Sequence, residues 1–258
     1  MIHFEKGNHM VWTEEQIANH REVADVLEGI VRKAFSFIAK ERNVTEKNVQ
    51  TFIVRKYREY GLKSCMGLPI VAFNEHSAQP HYAIGKKASV LKPNTLILID
   101  IWARSKKKNY PYADITWMGY YGKTLPKKIQ RIFDTVLKSR DTALRFIKSN
   151  IKKGILPKGR AVNEKANAII RKAGYGKYIL HSTGHSIGFR SPHGADKNIN
   201  KKGDEPLKQN LGYTIEPGIY IPGAFGIRSE IDFYIDEKMK LHITTGLQKK
   251  MVFIKPTI

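Results

Sequence analysis

Two pairs of acidic residues constrain this chain more than any other feature. Asp100 and Asp114 stand 14 residues apart, and Glu216 and Glu230 repeat that spacing 116 residues later. All four lie in apolar, strand-like surroundings: Leu96-Ile-Leu-Ile-Asp-Ile-Trp, Tyr112-Ala-Asp-Ile-Thr, Tyr213-Thr-Ile-Glu-Pro-Gly and Arg228-Ser-Glu-Ile-Asp. An ionised carboxylate is expensive to bury without a cation or several donors. A single such residue is most often an ion-paired structural acid. Two pairs sharing one offset point to an internal duplication, with each pair on the opposite arms of a hairpin.

The surrounding pattern carries the same repeat. Thr13, followed by Glu14 and Glu15, opens a helix in which Ile17, Ala24, Leu27, Val31, Phe35 and Ile38 recur at helical spacing to about Lys40. Thr45 with Glu46 opens a second, with Val49, Phe52, Ile53 and Tyr57 on its apolar face and Gly61 placed to end it. Short β-prone runs follow at Pro69–Phe73, Thr95–Trp102 and Asp114–Tyr121. A long helix is then expected after Leu125-Pro126, a shorter one over roughly Val162–Lys172, and a second β-rich stretch from Tyr178 to Phe253. Each half reads helix, helix, strands. The expected class is α+β: a short N-terminal extension, residues 1–12, then one domain over 13–258. Its two halves, roughly 13–123 and 124–258, share one core, and 258 residues is near the upper size for that.

Composition narrows the function classes. Cys65 is the only cysteine, which excludes an intramolecular disulfide and a cysteine-based zinc site. Met1–Trp12 lacks an apolar signal core, and the most apolar run, Thr95–Ala103, is short and carries Asp100. A soluble, cytoplasmic protein without a membrane partner is the expectation. The formal charge is +22, and residues 61–163 hold 20 Lys or Arg against 5 Asp or Glu. Such a surface attracts phosphates in a salt-dependent way, so weak, non-specific nucleic-acid binding is expected. No aromatic-interleaved basic motif accompanies it, and lysines spread over solvated faces are the plainer reading. A homodimer is left open.

Four converging carboxylates would carry a charge of −4, which about two divalent cations neutralise. An imidazole is offered by His181-Ser-Thr-Gly-His185-Ser-Ile-Gly, where Gly184 argues for a sharp turn rather than a helix. Oxygen-rich sites with one nitrogen suit paired manganese, cobalt, iron or zinc. His193 follows shortly after, and His81 lies in Gln79-Pro-His-Tyr.

Taken together, Asp100, Ala-Asp114-Ile-Thr, Thr-Gly-His185-Ser-Ile-Gly, Ile-Glu216-Pro-Gly-Ile-Tyr-Ile-Pro-Gly and Gly-Ile-Arg-Ser-Glu230 resemble the pita-bread metallopeptidases. That family includes creatinases, methionine aminopeptidases, prolidases and Xaa-Pro aminopeptidases. The resemblance covers roughly residues 13–253 and matches the family's ligand order Asp, Asp, His, Glu, Glu. It implies the pita-bread fold and two divalent ions, with manganese favoured. Asp100 would hold one ion, His185 and Glu216 the other, and Asp114 and Glu230 would bridge. By the same resemblance Glu216 shuttles the proton of an activated water, His81 and His193 position the substrate and stabilise the tetrahedral intermediate, and His181 stands on the leaving-group side. Arg228, Tyr220 and Thr116 would orient the carboxylates.

His181 with His185, Glu216-Pro-Gly-Ile-Tyr220, Gly226-Ile-Arg-Ser-Glu230 and Pro80-His81-Tyr82 are similar to the proline-specific branch, although the chain length suits a methionine aminopeptidase. The implied function is removal of an N-terminal residue that precedes proline, with peptides as partners. Methionine aminopeptidase and prolidase are the enzyme alternatives; a basic pseudoenzyme that binds RNA, ribosome or protein is the non-enzyme one. Trp117, where an arginine is common, the long segment with Lys106-Lys-Lys, and Gly194 after His193 depart from the family pattern and are expected around the substrate pocket.

Overall fold

The computed structural model describes residues 11–107, 109–195 and 198–256. Residues 1–10 of the expected N-terminal extension and Lys108 of the lysine run lie outside them. Trp12 is buried, with its indole against Gly212, where a Cβ would come within 2.0 Å of the ring.

Helix α1 (Glu14–Lys40) begins with a capping box. Thr13 Oγ1 accepts from Gln16 N, and the Gln16 side chain accepts from Thr13 N. Thr45 and Asn48 make the same reciprocal pair at α2 (Glu46–Glu59), which runs out before Gly61 at φ +64°. Helices α3 (Lys127–Ile151) and α4 (Gly159–Lys172) start after Pro126 and Lys158 with no side-chain cap. Pro126 marks the start of α3 in sequence, whereas α4, with Lys158 in place of a cap-forming residue, begins three residues before the Val162 expected from periodicity. The starts of α1 and α3, Glu14 and Lys127, are 113 residues apart, as are those of α2 and α4, Glu46 and Gly159. The duplication read from the carboxylates therefore extends to the helices.

The first half is built on an antiparallel hairpin of β3 (Thr95–Ser105) and β4 (Ala113–Tyr121), with β1 (Leu62–Lys63) and β2 (Ile70–Phe73) antiparallel to β3. In the second half β5 (Gly212–Ile215) pairs antiparallel with β8 (Ile231–Ile235), β8 with β9 (Leu241–Ile243), and β6 (Gly218–Ile221) with β7 (Phe225–Arg228). Strand β10 (Val252–Ile254) returns to lie parallel to β4 and ties the chain's end to the first half.

Strand alternation sorts the side chains. Ile97, Ile99, Ile101, Ala113, Ile115 and Trp117 pack with the apolar faces of α1 and α2. Tyr213, Ile215, Ile231, Phe233 and Ile235 pack in the same cluster as residues of α3 and α4. The intervening even-numbered residues take the other face, where Leu96, Leu98, Met118 and Tyr120 join a third apolar cluster. Asp100, Asp114, Glu216 and Glu230 share this parity. Asp100 lies opposite Thr116, and Trp102 opposite Asp114; in the second hairpin Ile215 lies opposite Ile231, which aligns Glu216 with Glu230 one step on. The hairpins thus differ by a two-residue register shift, which keeps every side chain on its own face. Trp117 has the opposite parity and does not reach the pocket. Its ring lies under the Arg32 guanidinium at 4.6 Å and its indole N–H donates to Gly246 O.

A buried histidine links α1 to both halves. His20 Nδ1 lies 2.8 Å from Tyr112 O and Nε2 2.7 Å from Thr244 Oγ1. A carbonyl only accepts, so Nδ1 carries the proton and Nε2 accepts from the hydroxyl. Burial pushes the pKa of His20 down to about 4. Its neutral form is therefore favoured by folding above the unfolded value near 6.5, and that stability is lost as pH falls from about 6.5 toward about 4. The linkage amounts to about 3 kcal/mol. Thermal melts across this range should show a steeper loss for the native chain than for His20→Gln. Equal slopes would contradict the linkage.

Candidate active site

A cavity of about 410 Å³ draws its walls from both halves. Strands β3 and β4 contribute Asp100 and Asp114; the residue after β5 is Glu216, the one before β8 is Glu230, and Arg228 ends β7. His185, His81 and His193 also line it.

The carboxylates are held as an acceptor-rich group. One ligand atom each from Asp114, His185 and Glu230 lie within 4.8 Å of one another. The turn expected at Gly184 is required by space: a Cβ there would sit 2.1 Å from Thr214 O. Thr214 Oγ1 then accepts from His185 N at 3.1 Å and donates to Glu216 Oε1 at 3.2 Å. His185 Nδ1 lies 2.8 Å from Ser186 O and must be its proton-bearing nitrogen, which leaves Nε2 as a lone pair. That lone pair faces Glu216 Oε1 at 3.3 Å, acceptor against acceptor. Asp114 Oδ1 is sealed from solvent without a hydrogen-bond partner.

Electrostatics sharpen the picture. Burial, followed by the charges of Glu230 and Asp100, pushes the Asp114 carboxyl well above the usual range. Burial and Glu216 do the same to Glu230, and burial raises Glu216 to about 7. Burial also raises Asp100, against the pull of Arg228. His185 is pushed down to about 3, mainly by burial. A proton or a cation has to enter this group, and the donor set of carboxylate oxygens with one neutral imidazole fits divalent cations.

Arg228 ties the surroundings together. It is ion-paired with Asp100, its Nε donates to Thr116 Oγ1 at 3.0 Å, and Nη1 donates to Tyr220 OH and Pro80 O, each at 3.3 Å. The Thr116 hydroxyl in turn donates to Glu230 Oε2 at 2.6 Å. Asp100 is thereby engaged by the guanidinium, outside the tight Asp114–His185–Glu230 group. His193 meets His185 edge to face at 4.2 Å between ring centres. His181 does not line the cavity. Its Nδ1 donates to Ser182 O, Nε2 accepts from Tyr220 OH at 2.6 Å, and Nδ1 lies 3.9 Å from Glu216 Oε2. Burial, then Arg228, hold it neutral, with a pKa of about 3.

Two carboxylates that shape this site were missed in sequence. Asp232 Oδ2 accepts from Asp114 N at 2.8 Å and so fixes the backbone that carries a ligand candidate. Its signal was available: it lies two residues beyond Glu230, on the same strand face. Glu46 reads in sequence as a first-turn acid suited to the helix dipole, yet it is fully buried. Its Oε1 accepts from Phe73 N and His76 Nδ1 at 2.7 and 2.8 Å, and its Oε2 from Ser89 N and Tyr82 OH at 2.9 and 3.0 Å. These four bonds clamp the segment that carries His81. Glu46→Gln should cost about 2–4 kcal/mol, because the buried Phe73 N–H and the half-buried Ser89 N–H lose their charged acceptor. It should also depress turnover while sparing metal uptake. An unchanged melting temperature and unchanged turnover would contradict this role.

Comparison with known proteins decides the family. The model of metallopeptidase family M24 matches residues 18–237. The chain belongs to this family. An uncharacterized peptidase of Staphylococcus saprophyticus is 30% identical over 237 residues, covering 92% of this chain but only 63% of the peptidase. The chain thus spans somewhat less than two thirds of the length of that relative. Among solved structures, a dipeptidase from Pyrococcus horikoshii superposes with a TM-score of 0.81 at 27% identity, covering 95% of this chain and 64% of that one. An X-Pro aminopeptidase from Thermotoga maritima gives 0.81 at 28% identity, with 95% and 65% covered. An Xaa-Pro dipeptidase from Bacillus anthracis gives 0.79 at 27% identity, with 95% and 64% covered. The α+β architecture of two helix–helix–strand halves is the pita-bread fold of this M24 family. Among the described residues no helix is long and apolar enough to cross a membrane.

Proposed function

We propose that this M24 member is an aminopeptidase that uses two divalent cations to remove the N-terminal residue from peptides with proline in second position. The observation that carries the reading is the His185 Nε2 lone pair set against Glu216, Asp114 and Glu230 in one cavity. In this reading Asp100 would hold one ion, His185 and Glu216 the other, and Asp114 and Glu230 would be shared by both. Bound there, the ions would acidify a water and polarise the scissile carbonyl.

The chain's own groups do the rest. Glu216 takes the proton of the attacking water and delivers it to the departing prolyl nitrogen, a tertiary amide nitrogen that must gain a proton to leave. His81 and His193 donate hydrogen bonds to the carbonyl oxygen as its charge grows. His181, neutral and fixed by Tyr220, stands beside Glu216 on the leaving-group side. Arg228 holds Asp100 and, through Thr116, Glu230. The basic surface serves as a weak, salt-sensitive attraction for polyanions.

The dipeptidases among the similar structures favour a second reading, cleavage of Xaa-Pro dipeptides. Hydrolysis of Xaa-Pro-Xaa tripeptides, Xaa-Pro dipeptides and Met-Ala-Ser under one manganese condition separates the readings. The tripeptides should be preferred, and His181→Ala should lose far more turnover than bound metal. Preference for the dipeptide would mean a prolidase; preference for Met-Ala-Ser would mean a methionine aminopeptidase.

A further inference from the structure

A second groove, of about 500 Å³, opens beside His181, which is absent from the lining of the catalytic cavity. One wall is the face of α4 on which Asn163, Asn167 and Arg171 recur every four residues. The adjoining stripe of Val162, Ala166 and Ile170 is wholly buried, and the two asparagines are nearly so, at 3% and 4% exposed. Burying amides is costly unless each polar atom is paired. Asn163 Oδ1 accepts from Thr183 N, Thr183 Oγ1 and Asn167 Nδ2, which fixes the orientation of both amides. Asn163 Nδ2 and Asn167 Oδ1 then meet no partner among the described residues, although both side chains line the groove. A donor and an acceptor are left for a ligand.

Lys201 and Lys202 also line the groove, and neither ammonium has an ion-pair partner among the described residues; Arg171 is already paired with Glu164. The groove adjoins the catalytic group through His181. His181 approaches Glu216 Oε2, and Thr183, held by Asn163, accepts from Glu216 N at 2.7 Å. A ligand offering an amide N–H, a carbonyl and a terminal anion would satisfy these groups, and the C-terminal end of a short peptide offers all three.

We propose that this groove binds the C-terminal end of the substrate peptide, with Asn163 and Asn167 on its backbone and Lys201 and Lys202 on its carboxylate. The assignment rests on the aminopeptidase reading and extends it to short peptides with a free C-terminus. The probes are Pro-Leu, the product expected from Ala-Pro-Leu, and its C-terminal amide, titrated calorimetrically into the protein as purified. The acid should bind about tenfold tighter than the amide, and Lys201→Glu with Lys202→Glu should erase the difference. In nuclear magnetic resonance spectra the side-chain amide signals of Asn163 and Asn167 should move with the acid. With manganese present, the double variant should raise KM for Ala-Pro-Leu about tenfold and leave kcat unchanged.

Equal affinity for acid and amide in the native protein, or asparagine signals that stay still, would overturn the proposal. Movement of those signals by inorganic phosphate but not by Pro-Leu would also overturn it, in favour of a free-anion site. Because binding is read without turnover, a protein that prefers the acid yet hydrolyses no peptide would sink the aminopeptidase reading alone.

Discussion

Asp114→Asn and Glu230→Gln should each abolish peptide hydrolysis and impair metal uptake, while making the metal-free protein more stable. Each removes a carboxylate that the two proposed ions would share. Loss of several kcal/mol of transition-state stabilisation corresponds to a fall of about a thousandfold or more. The gain in metal-free stability follows from the same geometry. Burial and the neighbouring acids raise both carboxyls well above their usual range, so each charge is opposed by the fold when no cation is present. A neutral amide of the same shape removes that opposition. Melting temperatures with and without manganese should therefore converge in the variants and differ widely in the native chain. Undiminished occupancy of two ions in either variant would refute the assignment.

The second large effect is expected at Arg228. It is the buried counter-charge of Asp100 and also a donor to Thr116, Tyr220 and Pro80. Arg228→Met leaves Asp100 as an uncompensated buried charge, a loss of about 3–5 kcal/mol. For a chain of this size that lowers the melting temperature by about 10 °C. Saturating manganese should restore part of the loss, because Asp100 then has a cation to face. Arg228→Lys should recover little, since one ammonium cannot reproduce a guanidinium that bonds Asp100 and Thr116 from different edges. A variant that melts like the native chain would show that Asp100 is compensated from elsewhere.

The residues legible in sequence are those whose placement follows a local period. The carboxylate pairs stood out because strand alternation and the 116-residue offset both act along the chain, and Gly184 announced its turn because only glycine fits beside Thr214 O. The helix starts at Thr13 and Thr45 were legible because capping is a local contact. What escaped is set by contacts distant in sequence. Glu46 becomes the clamp of the His81 segment only when Ser89 N, 43 residues on, reaches it. Asp232 fixes Asp114 across 118 residues. The placing of Trp117 near the pocket failed for a simpler reason: its parity on β4 puts it on the helix side. The side of His181 that faces the second groove was equally invisible, because that wall is assembled from α4 and the segment around Asn200.

The decisive titration is hydrolysis of an Xaa-Pro-Xaa tripeptide by chelator-stripped protein as manganese is added back. No turnover is expected without metal, with activity rising to saturation as about two ions bind per chain. Turnover that survives chelation, or two bound ions without any turnover, would contradict the two-ion reading.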